Sequence, residues 1–88
     1  MQDPNEMSEA AQTAYQAFLD MKASKAAHFG CLEALESKYS VGGAPSLAEN
    51  LELEKLLERH DRNVMAFQAA LAAVDDADEM QALVKLMS

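Results

Sequence analysis

The stretch Leu51–Val74, LELEKLLERHDRNVMAFQAALAAV, decides the fold. Within it Leu53, Leu57, His60, Val64, Phe67, Leu71 and Val74 recur at alternating steps of four and three. A helix that turns once in about 3.6 residues puts all seven on one stripe, a coiled-coil-like seam. Upstream, Ala14, Phe18, Met21, Lys25, His28, Leu32, Leu35 and Tyr39 carry a weaker version of the same spacing. Between the two runs lies Gly42-Gly43-Ala44-Pro45. Glycine favours the left-handed end of a helix and proline has no N–H to donate, so no helix crosses this point. The pattern predicts an all-α protein built on an antiparallel helical hairpin.

Folding the chain at that turn brings Leu35 opposite Leu53, Met21 opposite Phe67 and Ala14 opposite Val74. Leu32 then neighbours Leu57, and Phe18 neighbours Leu71. The two seams and the turn agree on one register. The same register sets His28 opposite His60, two histidines in one layer of an apolar seam, with Lys25 one step away.

Three helix starts follow from local chemistry. Asp3-Pro4-Asn5-Glu6, Ser46-Leu47-Ala48-Glu49 and Asp76-Ala77-Asp78-Glu79 each offer a capping oxygen and, three residues on, a glutamate. Such oxygens accept the free N–H groups of a first helical turn, and the acids complement the positive end of the helix dipole. The expected organisation is a single helical domain over 1–88, with a helix over about 4–40, a turn at 41–46, a helix over about 47–74 and a short third helix over about 77–87. Gly30, inside the first helix, is expected to mark a bend or a close helix contact. The third helix gathers Met80, Leu83, Val84 and Met87 on one side. The first helix has a second apolar flank, Tyr15, Leu19, Ala23, Ala26 and Phe29, and the second an alanine-rich one, Ala66, Ala69, Ala70 and Ala73; the third helix could fold back on these small residues, or those flanks could form a dimer surface.

The chain has 88 residues, half of them apolar, and a net charge of −8. Its lysines and arginines are scattered singly, so binding to nucleic acid or an anionic membrane would begin from repulsion. The single cysteine, Cys31, rules out an internal disulfide. No secretory leader is read at the polar, acidic N-terminus, and no apolar run approaches the roughly 20 residues that span a bilayer. A cytoplasmic location is expected.

No glycine-rich phosphate loop, nucleophile elbow or paired-carboxylate motif is present, and an enzyme is not expected. Cys31 and His28 share a helix side, but a hairpin offers no evident oxyanion hole. His28, Cys31 and His60, with Glu58 or Asp61 as a fourth group, are the candidate metal ligands, because tetrahedral zinc takes such an N/S/O set. A polar layer that fixes register is the simpler reading, and no cofactor is expected. The cluster Asp75, Asp76, Asp78 and Glu79 lacks the alternation and the central glycine of a calcium loop, and reads as capping.

A helical protein this small buries little core, and such chains gain stability by oligomerising or by binding a partner. The expected form is a homodimer completing a four-helix bundle, or half of a heterocomplex. The expected function is a protein–protein interaction module: an adaptor, assembly factor or chaperone-like protein that docks apolar helix flanks on a partner. The candidate contacts are Tyr15, Leu19, Phe29, Met65, Met80, Leu83 and Met87. The alternative is a metal- or pH-responsive sensor using the His28/His60 layer with Cys31. In size, charge and shape alone, such a hairpin is similar to the export chaperones of bacterial type III secretion systems, which implies a role in secretion or assembly.

Overall fold

The computed structural model describes residues 7–88. These form three helices and no strand: α1 (Glu9–Lys38), α2 (Leu47–Ala72) and α3 (Ala77–Met87). The expected capping sequence Asp3–Glu6 lies outside the described residues. Within them α1 starts later than expected, because Ser8 is extended (φ −60°, ψ 161°) and its hydroxyl accepts from the Ala11 N–H at 3.2 Å. α1 ends at Lys38, whose charge suits the negative end of the helix dipole.

The other two starts are where the sequence put them. Ser46 and Glu49 form a reciprocal capping box: Ser46 Oγ accepts from the Glu49 N–H, and Glu49 Oε1 accepts from the Ser46 N–H. Asp76 caps α3 by accepting from the Glu79 N–H at 3.0 Å. The Glu79 side chain does not close a second box. It reaches back to accept from the Ser8 N–H at 2.6 Å, joining the start of α3 to the start of α1.

The turn between α1 and α2 depends on Gly42 (φ +124°) and Gly43 (φ +87°), conformations that a Cβ disfavours. Glu49 secures it. One carboxylate oxygen takes the Ser46 N–H and the Tyr39 hydroxyl, and the other takes Lys38 Nζ at 2.9 Å. These contacts hold the Glu49 carboxyl down at about 2, with the Ser46 N–H as the largest cause, then the Tyr39 hydroxyl and Lys38. The Lys38 ammonium and the Tyr39 phenol are both pushed up by their bonds to Glu49.

The core sits at the end of the hairpin away from this turn. Met7, Ala11, Ala14, Val74 and Leu83 are buried there, and among the described residues Leu83 is the one large side chain with no exposure. Burying one leucine contributes roughly 1.5–3 kcal/mol. Ala10, Tyr15, Ala70, Leu71, Met80, Ala82, Leu86 and Met87 pack around these residues. Because Ala11 and Ala14 are small, α3 can approach α1 closely. α3 therefore folds back on its own chain, chiefly against α1 rather than on the alanine flank of α2.

Burial stops halfway along. α2 contains no buried residue, and Ser24 is the last one on α1 before the turn. The molecule measures 53 × 21 × 17 Å, with a radius of gyration of 17.2 Å. A compact domain of this length has about 12 Å.

Candidate functional site

The 30 residues of α1 span about 45 Å, whereas the 11 residues of α3 span about 16 Å. α3 runs parallel to α1, from Glu79 beside Ser8 to Met87 in a cleft with Phe18, Met21, Lys22, Lys25 and His60. It thus covers the core end of α1 beside α2 and stops. Beyond its end, towards the turn, the hairpin carries a separate apolar groove lined by Leu32, Leu35, Glu36, Tyr39, Pro45, Asn50 and Leu53. Phe29 and Leu57, 49% and 43% exposed, stand on the same side. They share that side because Phe29, Leu32 and Glu36 are spaced by three and four on α1, as Leu53 and Leu57 are on α2.

Leu35 and Leu53, expected to face each other, line the same cleft near the turn, whereas around His60 the pairing differs from the expected one by about one helical turn. His60 Nδ1 lies 3.0 Å from Ser24 Oγ, so Ser24 takes the place expected for His28. Ser24 is buried at 4% exposure and also donates to the Met21 carbonyl at 2.9 Å. Next to it, the Asn63 amide donates to the Asp20 carbonyl at 3.2 Å, and the rings of Phe18 and Phe67 lie 6.0 Å apart. His28 instead meets the Phe29 ring edge-on at 6.1 Å. The physical reason is that a slip of one turn leaves the same apolar stripe facing inward. The apolar pattern therefore fixes the face, and polar pairing selects the turn.

The expected seam is corrected at two positions. Lys25 is exposed, with its ammonium 5.9 Å from the centre of the Phe29 ring, and Leu56 rather than Leu57 is half-buried on α2. Gly30 marks no close contact: a Cβ there would meet nothing within 4 Å, and α1 passes through it unbroken.

The expected contact residues divide into two groups. Leu19, Phe29 and Met65 are exposed, at 39%, 49% and 69%. Tyr15, Met80 and Met87 are half-buried against the chain's own core, and Tyr15 stacks on Phe18 with ring centres 6.5 Å apart. Leu83 is corrected outright. It is fully buried within its own chain and presents no surface, while Val84, its neighbour, is 51% exposed.

Cys31 is a half-buried free thiol. Among the described residues, no group of three or more His, Cys, Asp and Glu side chains is placed to hold a metal ion. No helix of those residues is long and apolar enough to cross a membrane.

By spacing alone the groove residues Leu32, Leu53 and Leu57 belong to the seam and not to a site. The available signal was the adjacent pair Leu56-Leu57, since one stripe can take only one of the two.

Comparison with protein-family models, with curated proteins and with solved structures gave no match.

Proposed function

We propose that this chain is a small acidic protein–protein interaction module, an adaptor, assembly factor or chaperone-like protein, whose open half-groove is completed by a helix from outside the chain. The observation that carries this reading is the halt of α3 at Met87, with an apolar groove near the turn left uncovered beyond it. Two helices alone cannot dry both sides of their seam. Phe29 and Leu57 are left half in water, on the side where α3 covers its half of the hairpin. The mechanism is helix-in-groove docking, in which an amphipathic helix lays its apolar stripe on these side chains. A homodimer, with two hairpins meeting as a coiled-coil-like four-helix bundle, is one way to supply the missing helices; a partner protein is the other.

Amide hydrogen exchange combined with a native mass spectrum tests the reading. The expected result for a monomer is slow exchange around Ala11, Ala14 and Leu83, and much faster exchange in the helices between Lys25 and His60. A monomer protected equally at both ends would need no further helix, and the proposal would fail.

A further inference from the structure

Resting on that interaction reading, we infer that the half-groove seats a basic amphipathic helix of another protein, in line with α3. The inference comes from how charge is distributed around the groove. On α2, Glu54 and Asp61 are three and four residues from Leu57 and so flank it on the groove side, with Glu58 next to them. Lys55, Arg59 and Arg62 are spaced by four and three on the opposite flank. On α1, Glu33 and Glu36 follow Phe29 at four and seven residues, on the same side. All five carboxylates are exposed. The groove-side lysines, Lys22 and Lys25, sit at the other limit, beside Met87 at the carbonyl end of α3, where a positive charge is favourable.

The open segment is thus an apolar floor between two acidic rims. From Lys25 to Tyr39 it runs about 21 Å, room for a helix of about 14 residues. Lysines and arginines flanking an apolar stripe would reach both rims, with their alkyl stems covering the floor. A second copy of this chain would instead bring the same five carboxylates to the joint.

Two synthetic peptides of about 18 residues test the inference. Both carry leucines at helical spacing; one has Lys and Arg on its flanks and the other has Glu. Each is titrated against the full chain by fluorescence anisotropy. The expected result is at least tenfold tighter binding of the basic peptide, with the difference collapsing near 1 M salt, where the screening length is about 3 Å. Leu57→Glu should weaken the basic peptide at least tenfold. Leu51→Glu, which adds the same charge at a position pointing away from α1, should not. Replacing the exposed Glu54 and Asp61 with Lys should also weaken it and leave the floor intact.

Equal binding of both peptides, lost in Leu57→Glu, would overturn the basic-partner inference and leave the interaction reading standing. Binding of neither peptide would overturn it as well, and sedimentation would then separate two cases. A dimer that Leu57→Glu dissociates would make a second copy the occupant. A monomer with its outer hairpin protected would remove the interaction reading too.

Discussion

Truncating Leu83 to alanine should strongly destabilise this protein, whereas the same change at Leu57 should barely register. Leu83 is completely buried, in a core whose other buried members include two alanines. The substitution removes three carbons, worth about 2.4 kcal/mol of transfer free energy at about 0.8 kcal/mol each. A residual cavity adds to this, and measured Leu→Ala costs run from about 2 to 5 kcal/mol. We expect about 3 kcal/mol. A domain of this length has roughly 4–13 kcal/mol in total, so the loss is a large fraction of its stability. The melting temperature should fall by about 12–24 °C, at about 4–8 °C per kcal/mol. Leu57 is 43% exposed and lines an open groove, so its truncation forfeits only part of the transfer term and leaves no closed cavity. Its cost should be about 1 kcal/mol or less. Thermal melts followed by circular dichroism at low protein concentration make the comparison. If Leu57→Ala proved as costly as Leu83→Ala, the placement of the core at one end of the hairpin would be refuted.

Glu49→Gln should remove an acid-dependent part of stability. The folded carboxyl is depressed to about 2 from an ordinary 4.5. Its contribution is therefore complete above pH 4.5 and is lost as pH falls through 4.5 towards 2. Urea midpoints between pH 2 and pH 6 should fall less steeply with acid for the variant than for the natural chain; parallel curves would contradict the role given to Glu49. Gly30→Ala should stabilise by about 0.5–1 kcal/mol, because the site is helical and a methyl group meets nothing there. A lower melting temperature for that variant would mean that Gly30 answers a constraint the fold does not contain.

By itself the sequence determined the elements and their order. The capping box of Ser46 and Glu49, the Asp76 cap and the Gly42-Gly43 turn are local chemistry, complete within a few residues, and all three are found where they were read. The apolar stripes likewise determined which faces of α1 and α2 meet, since helical periodicity depends on spacing alone. Only the tertiary structure decided which turn of α1 lies against which turn of α2. A one-turn slip conserves the stripe, and the bonds of Ser24 to His60 and of Asn63 to Asp20 distinguish the registers. It also decided that Leu83 lies inside and that Phe29 and Leu57 lie at the surface. Their burial depends on where an 11-residue helix comes to rest on a 30-residue one, and on how far it reaches. Spacing along a chain records neither, because both follow from contacts between residues as far apart as Ser8 and Glu79.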